Sequence, residues 1–86
     1  NLRSLGLANN EITDLGPLRD LPLLEELALS KNQVSDLSTI SDLVRLRILA
    51  LDGNGIEDVG PLANLTALQH LDLGDNMISD ISPLED

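Results

Sequence analysis

His70 and Asp72 are the residues of this 86-residue chain whose types and spacing come nearest to reactive chemistry. Two positions apart, they share a face if the segment is a strand, where an imidazole beside a carboxylate can move a proton or ligate a metal. The rest of such a site is missing. The chain has no cysteine nucleophile, and spacing holds no serine near His70. One histidine with one carboxylate also falls short of the three or four protein ligands usual for zinc. The pair reads as solvated, so neither catalysis nor a metal or cofactor is expected.

Carboxylates recur elsewhere at a fixed interval. Asp14, Asp36, Asp58 and Asp80 lie 22 residues apart. On stacked coils they would stand about 5 Å from one another, the spacing of adjacent strands. Each then either accepts backbone N–H bonds where a turn begins, or joins a row that holds a cation against its own repulsion. Short Asp side chains are favoured in turns for the first reason, which is the reading adopted. Asp52-Gly53-Asn54-Gly55 superficially resembles a calcium loop, but no glycine is sixth and no glutamate twelfth. Asn64-Leu65-Thr66 is a glycosylation triplet that matters only in a eukaryotic secretory setting.

The elements that must position these residues follow from the same interval. Leu2, Leu24, Leu46 and Leu68 are 22 apart, as are the series from Leu5 to Leu71 and from Leu7 to Leu73. Asn10, Asn32, Asn54 and Asn76 keep that register, followed by Ile12, Val34, Ile56 and Ile78. Each unit reads L-x-x-L-x-L-x-x-N-x-[IV]-x-D-[LIV]-x-x-[LI]-x-x-L-x-x, without insertion or deletion, giving repeats 2–23, 24–45, 46–67 and 68–86. Segments such as Leu5-Gly6-Leu7 alternate with the period of a strand. Gly16-Pro17, Gly60-Pro61 and Ser82-Pro83 look like helix starts, with Gly or Ser at the cap and Pro at the first helical position. Leucines spaced by three, at Leu15, Leu18 and Leu21, suit a 3₁₀ turn.

Composition supports this repetition and narrows the partners. Leucine supplies 21 of 36 apolar residues and no aromatic residue is present, so identical slots are filled by identical side chains. A net charge of −10, from 15 acidic against 5 basic residues, argues against nucleic acid or an anionic membrane surface and favours a basic partner. No apolar run approaches the roughly 20 residues needed to span a bilayer. Without cysteine there are no disulfides, and the redox compartment stays open. The chain starts at Asn1 rather than Met and ends at Asp86 within a unit. The expectation is an uncapped stretch of a longer array, able to self-associate through its ends.

The repeat resembles the leucine-rich repeat family over the whole chain, and within it the 22-residue subclass of bacterial internalins and of an intracellular phosphatase regulator. The stretches Pro61-Leu62-Ala63-Asn64-Leu65-Thr66 and Asn76-Met77-Ile78-Ser79-Asp80-Ile81-Ser82-Pro83-Leu84 carry the internalin likeness. The resemblance implies an α/β-class right-handed solenoid, with parallel strands on a concave face and short 3₁₀ turns on the convex one. It also implies that the four asparagines are structural, their side chains bonding the backbone of their own and neighbouring coils.

On that fold, four columns of residues face the concave side. They are Ser4, Glu26, Ile48, His70; Gly6, Ala28, Ala50, Asp72; Ala8, Ser30, Asp52, Gly74; and Asn9, Lys31, Gly53, Asp75. Ile48 with Ala28 and Ala50 makes a small apolar patch, flanked by Glu26, Asp52, His70 and Asp72, the usual form of a binding centre. The partner-binding set is therefore Ser4, Glu26, Ala28, Lys31, Ile48, Ala50, Asp52, His70 and Asp72. Internalins of this subclass bind through aromatic-rich concave faces, and this chain has no aromatic residue, so no particular receptor is implied. The expected function is a protein- or peptide-binding scaffold, placed extracellularly or at a bacterial surface by the resemblance alone. The alternatives are a structural spacer and a cytoplasmic or nuclear phosphatase regulatory subunit.

Overall fold

A sustained run of leucines three apart stays on one side of a chain when the backbone itself repeats every three residues. The computed structural model, which describes residues 2–78 and 80, shows this directly. The Leu18 N–H donates to the Leu15 carbonyl (2.9 Å), Leu21 to Leu18 (3.0 Å) and Leu24 to Leu21 (3.2 Å). The same chain of bonds runs through Leu37, Ile40, Leu43 and Leu46, and again through Val59, Leu62, Leu65 and Leu68. Within these ladders lie three 3₁₀ segments: η1 (Gly16–Asp20), η2 (Ser38–Asp42) and η3 (Gly60–Asn64). The residues that bond to each other are the ones that enter the core, which suits the eclipsed geometry of a 3₁₀ turn.

The start of these segments differs from the sequence expectation. Gly16 and Gly60 are not the caps; Leu15 and Val59 hold that position, and each proline lies inside the first turn. A leucine or valine cap has no side-chain oxygen to offer, so the preceding aspartate supplies one. The carboxylates of Asp14, Asp36 and Asp58 accept the N–H of Gly16 (2.8 Å), Ser38 (3.0 Å) and Gly60 (2.8 Å). This Asx-type turn is the alternative to backbone pairing that short polar side chains provide. It forms equally before η2, which has no proline, so Pro is not required for the turn. Ser82-Pro83, the third expected start, lies outside the described residues, as do Asn1, Ile81, Leu84 and Asp86.

Four strands complete the coils: β1 (Ser4–Gly6), β2 (Glu26–Ala28), β3 (Ile48–Ala50) and β4 (His70–Asp72). They form one parallel sheet in the order β1-β2-β3-β4, each residue paired with the one 22 positions on, as in Ser4 with Glu26 and Leu27 with Leu49. Parallel neighbours need a crossover, and here the 3₁₀ segment is that crossover. The solenoid interior is the space between the sheet and the 3₁₀ side. Leu24, Leu27, Leu29, Val34, Leu37, Ile40 and Leu43 fill it in the second coil, and Leu46, Leu49, Leu51, Ile56 and Val59 in the third. Each of these is buried on both flanks by its repeat equivalents. Leu5, Leu7, Leu71 and Leu73, with a neighbouring coil on one side, are only partly buried. That gradient is the mark of a fold stabilised by nearest-neighbour interfaces. Among the described residues no helix is long and apolar enough to cross a membrane.

Candidate functional site

The outward side of the sheet is set by strand alternation: Leu5, Leu27, Leu49 and Leu71 point into the core, so their neighbours on either side point away. Register then brings together residues far apart in sequence. Ser4, Glu26, Ile48 and His70 form one row across the four strands, and Gly6, Ala28, Ala50 and Asp72 the next. Ser4, Glu26, His70 and Asp72 are exposed, while Ile48, Ala28 and Ala50 are half-buried. Small side chains at Gly6, Ala28 and Ala50 leave a shallow apolar depression of about 160 Å³ beside Ile48, with Glu26 on its rim. A second, more open and more polar hollow of about 490 Å³ lies on the other side of Ile48, toward His70 and Asp72.

The polar groups around this patch are tied to the sheet in register. Ser4 Oγ donates to Glu26 Oε1 (3.3 Å), and Ser30 Oγ donates to Asp52 Oδ1, each across one coil interface. Asp72 shares the face with His70, but its Oδ1 turns back to accept the Gly74 N–H (3.0 Å). Among the described residues no hydrogen bond couples the imidazole to that carboxylate. Nor do three or more His, Asp or Glu side chains converge there on a point where a metal ion could sit.

The column holding Lys31 has a second constraint, invisible in the sequence reading. Asn9, Lys31, Gly53 and Asp75 all adopt left-handed backbone, with φ of 62°, 59°, 71° and 54°. This is where the chain turns out of the strand toward the asparagine ladder. Asn, Asp and Gly tolerate that region, and Lys is the misfit. The residue types were the available signal. This column varies within what a turn permits, so its variation alone does not mark it for recognition. At Gly53 a Cβ would meet Lys31 Cγ at 3.2 Å, so the glycine is held by both its φ and the lysine above it.

A charged ladder also escaped the sequence reading. Glu25 bonds Arg3 Nη1 through Oε2 (3.2 Å) and Arg47 Nη1 through Oε1 (3.4 Å). These residues sit one position before each strand, 22 apart, and their alternating sign could have been read from the repeat. Two of the five basic residues thereby share one carboxylate beside the sheet, and Lys31 is the single cation in the four columns.

Each asparagine lies below its column at the floor of the turn. Asn32 Oδ1 accepts the N–H groups of Asn10 and Ile12 in the preceding coil (both 3.1 Å). Its Nδ2 donates to Leu7 of that coil (3.0 Å) and to Leu29 (3.0 Å) and Ser30 (3.3 Å) of its own. One and two coils on, Asn54 and Asn76 likewise accept the Val34 and Ile56 N–H and donate back to the Leu29 and Leu51 carbonyls. A side-chain amide with one acceptor oxygen and two donor hydrogens is fully used by this geometry.

This combination of a 22-residue register, parallel strands, 3₁₀ crossovers and an amide ladder has its counterpart among known proteins. The family described as Leucine Rich repeats (2 copies) matches residues 1–43 and again residues 44–86. The chain belongs to the leucine-rich repeat family. Leucine-rich repeat domains are typically non-catalytic scaffolds that generally bind proteins. Among solved structures, internalin C2 from Listeria monocytogenes superposes with a TM-score of 0.98 at 44% identity, over 100% of this chain and 38% of that one. The leucine-rich repeat domain of APL1B gives 0.78 at 26% identity, over 92% of this chain and 25% of that one. The APL1 leucine-rich repeat domain gives the same score and identity over 22% of its length. The chain thus spans less than half the length of each of these three structures. No curated protein matches the sequence.

Proposed function

We propose that this leucine-rich repeat chain is a non-catalytic recognition scaffold whose outward sheet face receives a protein or peptide of basic character. One observation carries the reading. Two rows of side chains, Ser4-Glu26-Ile48-His70 and Gly6-Ala28-Ala50-Asp72, are held in register on the open face while the core is filled entirely from the other side. They combine a desolvable patch at Ile48 with carboxylates at Glu26 and Asp72, Asp52 stands in the adjacent column, and no lysine or arginine is in either row. Complementary charge speeds encounter and sets register, and the half-buried apolar centre supplies the contact that excludes water. Similarity to internalin C2 supports a bacterial surface or secreted setting as part of the same proposal.

The test is a binding screen with extended peptides rich in Lys and Arg against their Glu-substituted counterparts. Basic peptides should bind, with affinity falling as salt rises. Glu26→Lys should weaken that binding by roughly tenfold at low salt, and Ile48→Asp should abolish it. A structural spacer, the reading favoured by the lack of any aromatic anchor on the face, would retain no partner in a manner sensitive to either substitution.

A further inference from the structure

Asn54 and Gly55 form the single asparagine–glycine pair of the sequence. In such a pair the backbone nitrogen after the asparagine can attack the side-chain amide, because glycine has no Cβ to obstruct the approach. The Gly55 nitrogen gives up its proton to solvent base and forms a bond to Asn54 Cγ. The Cγ–Nδ2 bond breaks and ammonia leaves with the returned proton, giving a five-membered cyclic imide. Water then opens the ring, yielding aspartate if it adds at Cγ and isoaspartate if it adds at the backbone carbonyl. The net change is amide plus water to carboxylic acid plus ammonia, with no oxidation or reduction.

The fold engages every group this reaction needs. Val34, fully buried in the preceding coil, holds the pair at two points. Its N–H donates to Asn54 Oδ1 (3.0 Å), and its carbonyl accepts the Gly55 N–H (3.0 Å). The leaving group is occupied as well: Asn54 Nδ2 donates to the carbonyls of Leu29 (3.0 Å), Leu51 (2.9 Å) and Asp52 (3.3 Å). Nucleophile, electrophile and leaving group are therefore all bonded elsewhere, three of those bonds crossing from the third coil to the second.

We propose that Asn54-Gly55 is a latent self-modification site, silent while the second and third coils are stacked and reactive when their contact opens. The product blocks reclosure. A carboxylate at position 54 would face the carbonyl oxygens of Leu29, Leu51 and Asp52, three acceptors with no donor between them, and isoaspartate would add a backbone atom within the turn. The site thus records opening events irreversibly. The equivalent turns at Asn32-Gln33 and Asn76-Met77 share the clamp, through Ile12 and Ile56, whereas the Asn10 side chain bonds Leu7 and Ala8 of its own coil. All three follow the amide with a side-chain-bearing residue, which obstructs the attack and slows cyclisation.

The test follows deamidation in the peptide covering residues 48–57 during incubation of the intact protein at mildly alkaline pH, in buffer, in graded urea and fully denatured. The folded rate should be slower than the denatured rate by on the order of tenfold or more, and should rise with urea below the unfolding midpoint. Gly55→Ala, whose new Cβ meets no atom within 4 Å, should suppress the reaction in every condition while leaving the melting temperature unchanged. Equal rates in buffer and in denaturant would overturn the gating. A denatured rate no faster than that of Asn32-Gln33 would overturn the site itself. An Asn54→Asp protein as stable as the parent would overturn the block on reclosure; one that melts lower or fails to fold supports it.

Discussion

Two turns flank the core of every inner coil, and both carry an unvarying polar residue, yet they do different physical work. At the turn after the strand, Asn32 is buried and its side chain bonds across to Leu7, Asn10 and Ile12 of the preceding coil. At the turn before the 3₁₀ segment, Asp36 is exposed and its bond reaches only Ser38, two residues on. The asparagine joins coils, whereas the aspartate shapes one. Unvarying repetition within a solenoid therefore has two separate causes. A buried amide is retained because its loss strands groups belonging to two coils, and an exposed carboxylate because its turn must form each time the chain enters a crossover.

Substitutions at the two turns should separate these roles. Asn32→Ala should have the largest effect, lowering stability by about 2–3 kcal/mol in urea unfolding, since it strips partners from several buried backbone groups at once. Asn10→Ala should cost less, about 1 kcal/mol, because Asn10 is exposed and its side-chain bonds run to Leu7 and Ala8 of its own coil. Equal losses at the two asparagines would break the distinction. Asp58→Ala should cost about 0.5–1 kcal/mol, in line with the loss of a helix-start oxygen. Moreover, it should leave hydrogen-exchange protection of the β2–β3 amides intact, whereas Asn32→Ala should reduce protection between the first two coils.

The smallest effect is one of pH. The Ser38 N–H, then the Ser38 hydroxyl, hold the Asp36 carboxyl below its usual 3.8. A group whose pKa is depressed by folding adds stability above its unfolded value and loses it as pH falls through the folded value. Melting temperature should therefore drop below about pH 4, and Asp36→Asn should flatten a part of that drop while leaving neutral-pH binding alone. An acid profile identical in the two proteins would remove the carboxylate from any part in turn stability.

Much of the fold was legible because its signal is a count. Leucines at fixed spacing, strand alternation at Leu5-Gly6-Leu7 and triplet spacing at Leu15, Leu18 and Leu21 each map to one backbone geometry, and the sheet register is the repeat length itself. The helix start was misread at Gly16 and Gly60 because Gly-Pro looks like a cap followed by a first turn. The oxygen that serves the start comes from Asp14 and Asp58 two residues earlier, a distance that depends on how the turn folds. At the candidate face, the outward rows through Ile48 were readable, but the constraint on Lys31 was not. It depends on φ, and one lysine among Asn, Gly and Asp obscured the pattern. The Arg3-Glu25-Arg47 ladder was there to be read in the period, but it becomes a set of ion pairs only once three coils stack.

The sequence by itself determined the period, the identity of the inward residues and the excess of acid, since these are properties of residue type and order. Tertiary structure decided which coil satisfies which polar group: that Asn32 serves the coil before it, that Asp36 serves only its own, and that Val34 holds Asn54 and Gly55 apart from each other's chemistry. The physical reason is that hydrogen bonds are directional and short. A repeat can place an amide at the right height in every coil, but whether its bonds point backward, forward or home is settled only when the neighbouring coil comes within about 3 Å.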